Sequence, residues 1–279
     1  MMEEALLTRA RSLASEAHVV TRAALDLAVH LGPSVRFKVP MEGRDVWMEY
    51  EPSDSKALTV VFHAAAPEFV KFPWFSGRRL LRRLPSARLS IADPSVTETL
   101  RIGWYAGNKD QPHLTENLAR FIDTFRHNTG ARKLIAFGVS SGGFASLQLA
   151  TRVNDITAVV VNPQTDIRKY YPGQFSKYVD QAWNGDSALL PTTAASVIEN
   201  AHQSKPTNSS VVYLQNLQDT FHVKAHAAPI HAGKIDTATS VTFVEDNWGE
   251  GHVVPDKAIM SAVLKDVLDG KMGASRAQA

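Results

Sequence analysis

Two rhythms of apolar residues alternate along the chain. Leu58-Thr59-Val60-Val61-Phe62-His63 is almost continuously apolar, the pattern of a strand covered on both faces of a parallel sheet. Runs of the same kind at 88–92, 133–137, 157–161, 210–214 and 240–244 predict further buried strands. Val35-Arg36-Phe37-Lys38-Val39 and Val46-Trp47-Met48-Glu49-Tyr50 instead alternate, as the strands of an antiparallel hairpin do. Between these runs the period lengthens to that of a helix. Leu114, Leu118, Phe121, Ile122 and Phe125 share one helical face, which ends at Gly130, and a last helix is expected over 255–268. Residues 4–31, with Leu6, Leu7, Ala10, Leu13, Ala14, Ala17, Val20, Ala24 and Leu27, fit an amphipathic helix stopped by Gly32-Pro33.

Strands alternating with helices predict an α/β protein: a mostly parallel central sheet with helices on both faces. The 279 residues can bury one sizeable core, so a single domain over 1–279 is expected, with 1–33 as its N-terminal helix. Residues 164–207 interrupt the alternation and carry Tyr170, Tyr171, Phe175, Tyr178 and Trp183. Following the C-terminal end of a strand, on the side where open α/β sheets bind ligands, they are expected to form a cap-like insertion. The small, polar tail over 270–279 is expected to fray.

One strand runs directly into a chemical motif. Leu134-Ile135-Ala136-Phe137 is followed by Gly138-Val139-Ser140-Ser141-Gly142 and then by the helical pattern of 144–150. A serine on so sharp a strand-to-helix turn is pushed out of the sheet edge, and the residues two before and two after it must lack bulk. Taking Ser140 as the centre puts glycine at both positions, whereas Ser141 would put Val139 at the first. A serine hydroxyl needs a general base, which in turn needs a carboxylate to orient it. Of ten histidines, His252 lies in the glycine-rich loop between the last expected strand and the last helix, where the order serine, acid, histidine puts the base. Asp219, just after the penultimate strand, is the expected acid, with Asp246 and Glu245 as substitutes. For the oxyanion, the backbone N–H of Ser141 is one expected donor; the other is Ala65, or Ala64 as second choice, in the loop His63-Ala64-Ala65-Ala66.

Together these residues resemble the α/β-hydrolase fold superfamily of serine hydrolases, over about residues 35–270. The resemblance implies an eight-stranded sheet, a Ser140–His252–Asp219 triad, an ester or related acyl bond as target, and no cofactor. Gly138-Val139-Ser140-Ser141-Gly142-Gly143-Phe144 and Asn162-Pro163-Gln164-Thr165 look like a bacterial branch related to accessory-secretion and glycan-modifying hydrolase-like proteins, a local likeness. A glycan acyltransferase or deacetylase on the same triad is therefore an alternative expectation, and a binding protein that kept only the fold is a third. Alanine at 64 and 65 departs from the glycines common in such oxyanion loops.

Composition narrows the picture further. No cysteine is present, which excludes disulfides, thiolate metal sites and cysteine catalysis. A net charge of +2 gives no reason to expect a nucleic-acid partner. Acidic Glu3 and Glu4, with no long apolar run after them, do not read as a secretory signal or a membrane span, so a cytoplasmic protein without a membrane partner is expected. His63, Trp104, Tyr105 and His222 are expected to line the substrate site, His63 as a structural residue rather than a second base. His222 and His226 share a helix face, as paired metal ligands can, with His231 shortly after, but Val223, Lys224 and Ala225 stand where a His-Glu-x-x-His site needs its carboxylate, so no metal is expected. Arg78, Arg79, Arg82, Arg83 and Arg88 are read as a solvated face, with Leu80, Leu81 and Leu84 turned inward. A small-molecule or glycan acyl substrate is the expected partner; acyl length and oligomeric state stay open.

Overall fold

Eight strands form one sheet in the order β1-β2-β4-β3-β5-β6-β7-β8. They are β1 Val35–Met41, β2 Arg44–Glu51, β3 Ala57–Phe62, β4 Ala87–Ile91, β5 Lys133–Val139, β6 Ile156–Val161, β7 Ser210–Asn216 and β8 Ser240–Asp246. This computed structural model describes residues 34–205, 207–235 and 240–273; the helix expected over 4–31 and positions 274–279 of the tail lie outside them. β1 and β2 pair antiparallel around Glu42 and Gly43, both at positive φ, which is the turn that matches the twist of two strands. β2 also runs antiparallel to β4, and every other pairing is parallel.

The parallel registers align the strand ends. Phe62 pairs with Gly138, Val139 with Val161, Val161 with Leu214 and Leu214 with Val244. The segments leaving β3, β5, β6, β7 and β8 therefore emerge along one edge. β3 lies between β4 and β5, so successive connections diverge there, the place where open α/β sheets leave a crevice for ligand.

Alternate residues of each strand feed different layers of the core. Leu58, Val60, Leu134, Ala136, Ala158 and Val160 join the cluster that contains helix α1, Leu114–Asn128. Val61, Ile135, Phe137, Val159 and Val161 join a second cluster with Met260, Val263, Leu264 and Val267 of the C-terminal helix Lys257–Leu268. That period of two, with both sets apolar, is why the sequence runs look continuous. Between the layers' elements, helix α2, Ser141–Ala150, is buried along its whole length.

Residues 164–207 fold into helix α3, Pro172–Ala182, and shorter helices at Thr192–Ala195 and Val197–Gln203. Tyr178 and Trp183 are sunk into the main core, and Tyr171 is half exposed. The arginine run divides. Leu81 is buried as expected, but Arg88 leaves the solvated face: it sits in β4, buried, against Glu49 at 3.0 Å and Glu51 at 2.5 Å. Burial would raise the Glu49 carboxyl, yet hydrogen bonds from Arg36 and Arg88 hold it below its ordinary value. Among the described residues, no helix is long and apolar enough to cross a membrane.

Candidate functional site

The turn after β5 is as tight as the sequence implies. Ser140 has φ 53° and ψ −116°, a conformation that costs roughly 1–3 kcal/mol and persists only where the surroundings impose it. They do so by close approach. A Cβ on Gly138 would lie 2.0 Å from the Gly142 oxygen, and one on Gly142 would lie 2.2 Å from the Phe62 oxygen. Ser140 N–H donates to Val161 O at 2.9 Å, and Phe144 N–H donates to Ser140 O at 3.0 Å, locking the turn to β6 and to α2.

Ser140 Oγ accepts a hydrogen bond from Gln164 Nε2 at 3.0 Å. Gln164 follows β6, and its other side-chain atom accepts from Trp104 Nε1–H at 3.1 Å. The same Nε2 lies 2.8 Å from His222 Nε2. His222 Nδ1 is 3.0 Å from Asp219 Oδ1 and 2.9 Å from Oδ2, and His252 Nδ1 is 2.5 Å from that same Oδ2. The two imidazoles stack, with centroids 4.0 Å apart and planes inclined by 21°. One carboxylate thus holds two histidines. Ser140, Gln164, His222, Asp219 and His252 form a single connected network, although among the described residues neither imidazole bonds Ser140 Oγ directly.

Asp219 owes its place to β7 and to a helix start. It caps the turn Thr220–His222, accepting the His222 backbone N–H at 3.2 Å. Capping and imidazole binding are therefore one arrangement. Burial would raise its carboxyl, but the hydrogen bonds from His222 and His252 outweigh that and hold it well below the usual carboxylate range. Burial pushes His222 down, against the opposing pull of Asp219. The contacts of His222 set its tautomer: Nδ1–H points to Asp219, and Nε2 accepts from Gln164 Nε2. The sequence alternatives stand apart: Glu245 is 2.8 Å from His231 Nε2, and Asp246 caps the Asn247 N–H.

The His252 loop is clamped by two asparagines at the strand ends. Asn216 Nδ2 donates to Gly249 O at 2.7 Å and to Gly251 O at 2.8 Å, and Asn162 Nδ2 donates to Val253 O at 2.8 Å. Asn162 Oδ1 also accepts the Asn216 N–H at 2.8 Å.

Ser141, expected to offer its N–H to an oxyanion, opens α2, so that N–H has no acceptor within the helix. The contact of Gly142 with Phe62 O and His63 O brings that helix start against the loop carrying Ala64 and Ala65. Ala66 N–H, bonded to Arg101 O at 2.7 Å, pins the loop beyond them.

The residues expected to line the substrate site are all buried and hydrogen-bonded. His63 Nδ1 donates to Ala64 O at 2.6 Å, and its Nε2 accepts the Asp93 N–H at 3.1 Å. Burial pushes its pKa down to about 4, so it is a neutral clip between two loops. It borders a cavity of about 260 Å³ with Trp47 and Trp74, where it offers only ring surface. Trp104 is fully buried and serves Gln164; Tyr105 is buried, its hydroxyl donating to Ile91 O and accepting the His63 N–H. His222 is buried within the network.

Asp219, His222 and His252 place three potential ligand atoms within 4.8 Å of one another, a group that could hold a metal ion. His226 and His231 do not join it: His226 Nδ1 accepts the Thr165 N–H at 3.2 Å, and His231 lies with Glu245. The roles of Gln164, Asn162 and Asn216 went unread in the sequence. Asn162 and Gln164 lie in the Asn162-Pro163-Gln164-Thr165 segment that carried the local likeness; the signal all three share is a polar residue at or just after the end of an apolar strand, on the edge where ligands bind.

No family model matches the chain, and no curated protein matches its sequence. Its structure is similar to the capsule O-acetyltransferase of Neisseria meningitidis serogroup A, with TM-score 0.63, 14% identity, and 83% of this chain and 94% of that one covered. It is also similar to Pyrococcus horikoshii acylaminoacyl peptidase, with TM-score 0.61 and 14% identity over 88% of this chain and 42% of that one. Esterase B from Lactobacillus rhamnosis gives TM-score 0.55 and 13% identity, with 96% of each chain covered. Strand order, the turn at Ser140 and these likenesses together identify the fold as that of the α/β hydrolases.

Proposed function

We propose that the protein is a serine enzyme that breaks an ester or related acyl bond through an acyl-enzyme. Ser140 attacks the carbonyl, His252 takes its proton and later delivers it to the leaving group, and Asp219 orients His252 and stabilises the imidazolium. The N–H groups of Ser141 and Ala65 receive the oxyanion. No cofactor is required by this chemistry. The observation that carries the reading is the convergence on one network of the strained Ser140 and the Asp219 carboxylate, 2.5 Å from His252 Nδ1.

His222 shares that carboxylate but is a poor candidate for the base. The Gln164 amide lies between it and Ser140, and an amide that donates to both cannot pass a proton from one to the other. His252 Nε2 carries no hydrogen bond to another described residue. In this reading 164–207 acts as a cap, contributing Gln164 at its root, within a single catalytic domain of a cytoplasmic protein.

Transfer of the acyl group to a glycan hydroxyl is the second reading, favoured by likeness to the capsule O-acetyltransferase over most of both chains. The same three residues serve either outcome, and access of the acceptor decides between them. A Ser140→Ala variant assayed with a short-chain aryl ester, beside fluorophosphonate labelling of the unaltered chain, tests both. Loss of turnover with labelling at Ser140 is expected; full turnover in the variant would reject Ser140 as the nucleophile.

A further inference from the structure

The Gln164 amide is set with unusual care. Trp104 Nε1–H can only donate, so the Gln164 atom facing it at 3.1 Å is Oε1. Nε2 then faces Ser140 Oγ and His222 Nε2 and donates one proton to each. Gln164, Trp104 and His222 are completely buried. The indole is aimed by a costly turn: Trp104 and Tyr105 are consecutive residues at φ 55°, held where buried Asp93 accepts the Tyr105 N–H at 2.8 Å. Non-glycine residues in this region indicate a conformation imposed by its surroundings. Here the imposed turn ends at the nucleophile's oxygen.

Resting on the assignment of Ser140 as nucleophile, we propose that Gln164 is a further catalytic residue, whose N–H stabilises Ser140 Oγ whenever charge develops on it. As acceptor from Gln164, Oγ keeps its own proton free to turn towards His252. In acylation that proton passes to His252 as the bond from Oγ to the carbonyl carbon forms. In deacylation, water adds to the acyl carbon and gives its proton to His252. The bond from that carbon to Oγ then breaks, its electron pair stays on Oγ, and the proton returns there from His252. A donor already 3.0 Å from Oγ meets the developing charge without reorganising. His222 is a positioning residue: its Nε2 accepts the second amide proton, and Asp219 holds it in the tautomer that can do so.

The test uses the whole chain with p-nitrophenyl acetate, separating the burst of acylation from steady-state deacylation, with melting temperature as the control for folding. Gln164→Leu is expected to slow both steps by about tenfold to a hundredfold, the loss appropriate to a hydrogen bond to a charged oxygen, with KM changed less than kcat. Gln164→Glu keeps the shape and the Trp104 contact as an acceptor but, when ionised, offers Oγ no proton; it should lose as much, and it decides the matter if the leucine disturbs packing. His222→Leu should lose less, and nothing further when Gln164 is already leucine, because it acts through the amide. Folded Gln164 variants that keep both rates, a loss confined to KM, or additive losses at Gln164 and His222 would each overturn the proposal. Failure of the Ser140 assignment reads differently: the unaltered chain would show no burst and no labelled serine.

Discussion

Asp219→Asn is the perturbation with the best-defined consequence. The carboxylate accepts from His222 N–H at 3.2 Å, from His222 Nδ1–H at 2.9–3.0 Å and from His252 Nδ1–H at 2.5 Å. An amide has one oxygen for these donors. Turned towards His222, the oxygen keeps both of that residue's bonds and leaves NH2 facing His252 Nδ1. Turned towards His252, it abandons a buried backbone N–H, which has no other tautomer, and forces His222 Nε2–H against the Gln164 amide. The first arrangement therefore wins, and His252 must carry its proton on Nε2, the wrong atom for a base. By analogy with the same exchange in a serine protease, kcat should fall by about 10⁴, while stability falls by only about 1.5–3 kcal/mol for one charge-assisted hydrogen bond. Steady-state kinetics on the aryl ester and urea unfolding would measure the two. Glu245→Gln and Asp246→Asn, which do not contact His252, should leave kcat unchanged. A folded Asp219→Asn protein with kcat within tenfold of the original, or an equal loss from Glu245→Gln, would refute this assignment.

Three more outcomes follow from the structure. Gly142→Ala should abolish activity and yield little folded protein, because the added carbon would lie 2.2 Å from the Phe62 oxygen; normal expression and turnover would contradict the close approach. Asn216→Ala frees the carbonyls of Gly249 and Gly251, and should lower kcat more than KM while lowering the melting temperature; an unchanged pH–rate profile and kcat would show the His252 loop to be held otherwise. Burial pushes His63 and His226 down to about 4 and about 3, so the unfolded chain binds their protons first as pH falls below 6.5, and stability is lost through that window. By pH 5 each histidine contributes a loss of about 2 kcal/mol, while Asp93, raised to about 6 by its own burial, works in the opposite sense by about 1 kcal/mol. A urea midpoint at pH 5 equal to or above that at pH 7.5 would count against buried neutral histidines.

What the chain alone determined was everything governed by local periodicity and short-range sterics. The inner strands came from apolar runs that pack on both faces, β1 and β2 from alternation, α1 and the C-terminal helix from their apolar stripes, and the turn at Ser140 from glycine at 138 and 142, because each depends on residues adjacent in sequence. Asp219 and His252 were chosen from the order of the strand-end loops, with Asp219 preferred to Glu245; that Asp219 contacts His252 while Glu245 contacts His231 is visible only in the packed chain. Only the tertiary structure decided the rest. Trp104, Gln164 and His222 are separated by about sixty residues at each step, and meet because parallel strands deliver their following loops to one edge. A side chain such as Trp104, His63 or Tyr105 looks the same in sequence whether it faces substrate or supports the residue that does. Burial and hydrogen-bond geometry separate the two, and both are properties of the packed chain.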